Sequence, residues 1–187
     1  MFTVFAIGDE QYGRDSGEAR TWRVELVRAV RGESLPAGAT LRVTTAAEMP
    51  SRGSPWPLVA VASNGRYTNA SEKAVLDARQ APLGRDEATC GVLIPIRKNA
   101  SWWALTQDAR RAIFEEQSGH IAGTLHSLPA VARKLYHSRD LGEPFDFLTW
   151  FEFAPHHRPV FENVLAFLRA TREWTFVERE VEVWLGR

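Results

Sequence analysis

Alternation of hydrophobic and polar residues along the chain predicts a mixture of strands and helices. Segments of strand length either alternate between apolar and polar positions or form short apolar runs. In chain order, the predicted strands cover residues 22–26, 40–44, 58–62, 92–98, 131–137, 145–153 and 174–185. Apolar residues at helical spacing, with capping residues nearby, predict three helices. One ends near Arg79, one begins near Thr106, and one begins at Pro159.

From residue 92 onwards, the predicted order is β-α-β-β-α-β, which is the ferredoxin-like arrangement. Two helices on one face of the sheet leave the other face to pack on the N-terminal half, on a ligand or on another subunit. Pro95 indicates a strand edge or a strand end, because proline cannot donate to a ladder. The alternation also places five side chains on one face of a strand, namely Phe145, Phe147, Thr149, Phe151 and Phe153.

Composition narrows the class of protein. The 187 residues are 44% hydrophobic and 25% charged, which is typical of a soluble globular protein and excludes a disordered chain, a collagen or a coiled coil. The 23 basic and 23 acidic residues cancel, so the chain lacks the net positive charge of a nucleic-acid-binding protein. We therefore expect no nucleic-acid partner.

The single cysteine, Cys90, excludes an internal disulfide and a cysteine metal site. The first seven residues are apolar, but they carry neither the basic residues nor the cleavage site of a secretory signal. No uncharged apolar run reaches the roughly 18 residues of a membrane span. We expect a cytoplasmic protein with no membrane partner.

Three features suggest a pocket without identifying a reaction. His120 follows an amphipathic helix and a glycine, so its ring could project above the sheet, although a single histidine is more often a surface or core residue. Arg133 is either a buried cation that needs an anionic partner or part of a solvated strand edge. The pair Trp102–Trp103, just after Lys98, either fills the core or lines a flat anionic cofactor.

An ordered set of short motifs carries a resemblance to a known family. The set comprises LIPIRKNASWW at 93–103, His120 with Arg133 thirteen residues later, RKLYHS at 133–138, FLTWFE at 147–152 and REW at 172–174. No single motif is specific, but in this order and at these separations the chain resembles the chlorite dismutase family of haem proteins. The similarity runs from about residue 57 to residue 186.

The resemblance implies a proximal side for a haem b cofactor. His120 matches the histidine that binds the haem iron. Glu173 matches the carboxylate that accepts the other ring N–H, which fixes the tautomer and strengthens the ligand. Lys98 matches the lysine that accompanies this glutamate. We expect His120 and Glu173 to act as a unit, with Lys98 keeping the carboxylate ionised.

The resemblance also implies a distal side and a reaction. Arg133 matches the arginine above the iron, with Thr149 and Phe151 as a pocket wall. Trp102 and Trp103 match haem-contacting tryptophans, and the loop that contains Asn64 and Tyr67 resembles the loop near the haem propionates. The implied enzyme converts chlorite to chloride and dioxygen through a ferryl species and hypochlorite, which Arg133 retains until the O–O bond forms. Chlorite detoxification would be one use of this activity.

The implied architecture is a ferredoxin-like, dimeric α+β barrel. Residues 1–85 would form a reduced N-terminal copy, and residues 86–187 a complete βαββαβ copy that binds haem, within one compact unit. The reduced first copy matches the short branch of the family, whose members are homodimers.

Three alternatives stay open at the level of sequence. A coproheme decarboxylase resembles this fold, but typically carries a neutral side chain in place of Arg133 and a tyrosine where Ile94 stands. A haem-binding protein with incidental peroxidase activity would favour a distal base, and no histidine occupies the matched distal positions. The third alternative is a haem-free ferredoxin-like module.

Overall fold

The computed structural model describes residues 1–8, 20–49, 57–63, 65 and 67–187. Its eight strands are β1 (Phe2–Gly8), β2 (Arg20–Arg31), β3 (Thr40–Ala46), β4 (Pro57–Ala62), β5 (Cys90–Lys98), β6 (Val131–His137), β7 (Phe147–Phe153) and β8 (Val177–Gly186). The α-helices are α1 (Ala70–Arg79), α2 (Ala100–Ala104), α3 (Gln107–Arg111) and α4 (Arg158–Arg169). Shorter helical turns include a π-helical turn at Ala112–Gln117 and 3-10 turns at Ala122–Ser127 and Glu173–Phe176.

The strands close into one antiparallel barrel in the order β1-β3-β2-β8-β5-β7-β6-β4. The first four strands are contiguous as β4-β1-β3-β2, and the last four are contiguous as β8-β5-β7-β6. Each block therefore has its fourth, first, third and second strand in that spatial order. This repeat confirms the predicted ferredoxin-like α+β barrel. The sheet face that the sequence left uncovered packs on the N-terminal half.

Two hydrophobic layers hold the molecule together. The barrel interior is filled by large side chains from both halves, including Phe5, Trp22, Leu93, Leu148 and Trp150. The second layer lies outside the barrel, where α4 covers the outer faces of β5, β7 and β8. The buried stripe of α4 consists of Phe161, Val164, Leu165 and Leu168. Pro159 stands in its first turn, as predicted.

The structure corrects three details of the predicted strands. Pro95 is neither at an edge nor at a strand end, because β5 pairs with β7 on one side and β8 on the other. The ladder between β5 and β8 instead has no residue pair between Leu93↔Val183 and Ile96↔Glu180. Pro95 lies in this gap, where a backbone N–H is not needed for the ladder. Phe145 precedes β7 and packs inside the barrel. The N-terminal strand β1 was not predicted.

Among the residues described, no helix is long and apolar enough to cross a membrane.

Candidate active site

A cavity of about 350 Å³ lies on the outer face of the second-half sheet. Its floor is formed by residues that pair across neighbouring strands. Ile94 and Leu135 both lie opposite Thr149, and Arg133 lies opposite Phe151. α4 contributes one wall, and the segment from Phe114 to Ile121 contributes another. The rim comes from the first half, with Ser63, Tyr67, Leu76 and Gln80. The cavity is mainly apolar and lies where the two halves meet.

His120 reaches this cavity from an irregular turn. The π-helical turn at Ala112–Gln117 ends before Gly119, which has a φ of 59°, a value that glycine adopts readily. The imidazole stacks on Phe114, with ring centroids 4.2 Å apart. Its Nδ1 lies 2.6 Å from Glu173 Oε2. Nε2 has no hydrogen-bond partner in the described part of the chain, which leaves it available to a metal ion.

Glu173 and Lys98 form a buried ion pair behind this histidine. Lys98 Nζ donates to Glu173 Oε1 at 2.8 Å, and the two side chains are 3% and 6% exposed. Burial would raise the pKa of the Glu173 carboxyl, but the charges and hydrogen bonds of His120 and Lys98 outweigh it and lower the pKa to about 2. Glu173 is therefore ionised at neutral pH, and its Oε2 accepts a hydrogen bond from the Nδ1–H of His120.

Packing fixes the position of the Lys98 ammonium. The Lys98 backbone N–H donates to Asp146 Oδ2 at 2.7 Å. Its Nζ lies 4.7 Å from the ring centroid of Trp102 and 5.4 Å from that of Trp174. A charge held between two indole faces gains cation–π stabilisation in addition to its carboxylate partner.

Arg133 projects from β6 into the cavity as a half-buried cation. Its Nη1 donates to Thr124 Oγ1 at 2.9 Å. No carboxylate lies within 4 Å of its guanidinium among the residues described. Burial lowers the pKa of Arg133, yet a guanidinium stays charged across the physiological range. A charged group without a carboxylate partner in an apolar cavity attracts a small anion.

Three residues that line the cavity each carry a buried polar atom with no partner in the described structure. These atoms are Ser63 Oγ, Tyr67 Oη and Trp102 Nε1. Buried polar groups are almost always hydrogen-bonded, so unpaired ones suggest a ligand. All three can donate, which suits a ligand that carries acceptor groups.

The structure brings most of the expected site residues together. His120, Glu173, Lys98, Arg133, Trp102, Thr149, Phe151 and Tyr67 all line the cavity. Trp103 does not line it. Its ring lies 3.9 Å from the Arg139 guanidinium and its Nε1 donates to Asp146 Oδ2. The structure therefore does not bring Trp103 to the cavity wall, and its expected haem contact stays a prediction. Asn64 lies outside the described residues.

Sequence reasoning missed part of the rim and one polar contact. Leu76 and Gln80 reach the cavity from α1 and its C-terminal end, and no periodicity marks them as site residues. Thr124, fully buried, bonds to Arg133. Its position four residues after His120 was the one available signal, since one helical turn brings such residues close together.

A metal ion at His120 would need ligands from outside the protein. Within the described ranges, no group of three or more His, Cys, Asp or Glu side chains could hold an ion.

Comparison with solved structures finds similarity to chlorite dismutases. A dimeric chlorite dismutase from Nitrobacter winogradskyi is 55% identical, with 99% of each chain covered and a TM-score of 0.86. A chlorite dismutase variant from Candidatus Nitrospira defluvii has a TM-score of 0.66 over 100% of this chain and 91% of that chain. Because it is 24% identical, it shows the fold alone.

A shorter match is to a curated protein. The chlorite dismutase of Ideonella dechloratans is 47% identical over 72 residues, which are 38% of this chain and 24% of that protein. No family model matches the chain.

Proposed function

Because the chain belongs to the chlorite dismutase family, we propose that it converts chlorite into chloride and dioxygen with haem b as its cofactor. The observation that carries this proposal is the placement of His120, backed by Glu173, and of the cation Arg133 in one apolar cavity. Chlorite is a small anion, and a guanidinium is a suitable group to attract it.

The cavity residues fit haem b. Its walls are mainly apolar, as a porphyrin ring requires, and the unpaired donors of Ser63, Tyr67 and Trp102 suit the propionate carboxylates. His120 would hold the iron through Nε2. When bound, the haem iron supplies the centre at which chlorite gives up an oxygen atom.

Glu173 and Lys98 adjust the strength of the His120 ligand. The ionised carboxylate holds the imidazole proton on Nδ1, so Nε2 keeps its lone pair for the metal. A strong hydrogen bond to a carboxylate also increases the basicity of the imidazole. Lys98 offsets the cost of burying the charge of Glu173.

Arg133 attracts and retains anions. Its fixed positive charge favours entry of chlorite, and it disfavours escape of the hypochlorite that remains after loss of one oxygen atom. Arg133 cannot act as a proton donor or acceptor near neutral pH, so its contribution is electrostatic and positional.

The decisive experiment compares Arg133→Ala with the wild type in the haem-loaded protein. We expect the variant to retain haem, yet to release more trappable hypochlorite per turnover and to lose activity sooner. Arg97→Ala, which removes an exposed cation that does not line the cavity, is the matched control. Unchanged dioxygen yield and unchanged lifetime in Arg133→Ala would contradict the proposal.

We also propose that the protein is a homodimer. The relative from Nitrobacter winogradskyi that is similar over nearly the whole chain is described as dimeric. Light scattering on a size-exclusion column gives the mass directly. A monomer at micromolar concentration would refute this part of the proposal without affecting the proposed reaction.

A further inference from the structure

The hydroxyl of Thr124 connects the two sides of the cavity. Thr124 lies in the 3-10 turn at Ala122–Ser127 and is fully buried. Its Oγ1 donates to the carbonyl oxygen of His120 at 2.7 Å and accepts from Arg133 Nη1 at 2.9 Å. A hydroxyl has one proton and two lone pairs, so it can make both bonds at once. The segment that carries the metal ligand is thus bonded to the guanidinium.

We propose that Thr124 is a positioning residue that holds the guanidinium of Arg133 in place for anion binding. The inference rests on the proposed function of Arg133. It adds that the orientation of this side chain is set by a neutral, buried hydroxyl attached to the His120 segment.

The surroundings of Arg133 make this single bond important. Arginine has four rotatable side-chain bonds and loses considerable rotamer entropy when it is fixed. In the described part of the chain, Thr124 is the only side chain that bonds to the Arg133 guanidinium. Without that bond, the guanidinium would sample other rotamers, and an anion in the cavity would have to order it on binding.

Thr124 itself is well ordered by its environment. It is β-branched, which restricts its side-chain torsion, and it is completely enclosed. Ser127 reinforces the same turn by donating from Oγ to the Thr124 carbonyl oxygen at 2.7 Å. Ser127 is also buried, but its hydroxyl makes no hydrogen bond to Arg133, so it provides a control for the stability of the turn.

The test measures azide affinity of the haem-loaded enzyme by the shift of its Soret band. Azide is a monoanion at neutral pH and is not turned over as chlorite is. We expect Thr124→Val, which keeps the shape and removes the hydroxyl, to weaken azide binding roughly three- to tenfold. Thr124→Ser should bind azide within about twofold of the wild type, because its hydroxyl is retained. Ser127→Ala should leave the affinity unchanged.

Two further variants separate this inference from the proposed function. Arg133→Ala should weaken azide binding at least about tenfold, and Thr124→Val should add no further loss in an Arg133→Ala background. If Arg133→Ala leaves azide affinity unchanged, the proposed role of Arg133 fails.

If Arg133→Ala weakens binding but Thr124→Val does not, only the role of Thr124 is overturned. An equal loss in Ser127→Ala, or no rescue by Thr124→Ser, would also overturn it, since either result indicates a general effect on the turn. If Thr124→Val does not take up haem, Thr124→Cys serves the same test, because a thiol is a weak acceptor.

Discussion

The two halves of the barrel share one strand order but differ in how their helices are used. In the second half, α4 buries four apolar side chains against the outer face of the sheet. In the first half, α1 buries none of its residues. It is attached instead through polar contacts, such as the bidentate pair of Glu72 with Arg111. The second half therefore supplies a packed wall and the ionisable groups, whereas the first half supplies the rim of the cavity.

This difference would let one scaffold hold the proposed cofactor firmly and still admit a small anion. A helix that forms part of the core cannot move without exposing apolar surface. A helix that is held at a few polar points can separate locally at little cost. We therefore expect the metal ligand to depend on the second half, and access to the cavity to depend on the first.

The largest expected effect distinguishes the halves by haem retention. His120→Ala removes the only proposed protein ligand to the iron, so we expect the variant to lose haem on gel filtration. Tyr67→Phe removes one unpaired hydroxyl from the rim, and we expect it to keep haem with at most about tenfold weaker binding. Absorbance of the Soret band after gel filtration measures how much haem each variant retains. His126→Ala, which removes an exposed histidine six residues further on, is the control.

If Tyr67→Phe lost haem as completely as His120→Ala, the rim would be as important as the iron ligand. The comparison between the halves would then be wrong for cofactor binding.

The second expected effect concerns stability. Phe161 is fully buried under the outer sheet face and packs against Phe153 at 4.8 Å between ring centroids. We expect Phe161→Ala to lower the free energy of unfolding by about 3–5 kcal/mol. Val75 of α1 is 40% exposed, so Val75→Ala should change the free energy of unfolding by less than about 0.5 kcal/mol. Urea denaturation of the two variants gives both values, and equal losses would show that α1 is part of the core.

Sequence patterns predicted the second half well because its signals are local. Strand β6 has the predicted bounds, and the buried stripe of α4 follows from helical spacing in a single segment. The first half was harder, since its barrel strands gain their burial from distant partners. The terminal strand β1 is an example, because it is stabilised by pairing with β3 and β4. Periodicity within one segment does not contain that information.

Some residues of the candidate site could also be predicted from the sequence, and others could not. The roles of His120, Glu173 and Arg133 were inferred from a resemblance in motif order, and the structure brings all three to one cavity. Trp103 shares its motif with Trp102 but points elsewhere, because neighbouring residues in a helix face different directions. The cavity-rim residue Leu76 and the buried Thr124 contribute through three-dimensional proximity, which one sequence does not reveal.

The smallest expected effect is a pH dependence of the attachment of α1. Hydrogen bonds from Arg111 lower the pKa of the Glu72 carboxyl against the opposing effect of burial. A carboxyl with a lowered pKa stabilises the fold above its unfolded-state pKa and loses that contribution as the pH falls through the lowered value. The attachment of α1 should therefore weaken as the pH falls below about 4.5. Hydrogen exchange of the α1 amides, relative to those of α4, measures this change.

Glu72→Gln should show faster exchange in α1 already at neutral pH, with little further change on acidification, because the titrating group is absent. Lys73→Met removes a different charge from the same helix, in an exposed pair with Asp77, and is the control. Acceleration of equal size in α1 and α4 of the wild type would indicate global unfolding. The polar attachment of α1 would then have no separate role, since the two halves would respond to acid as one unit.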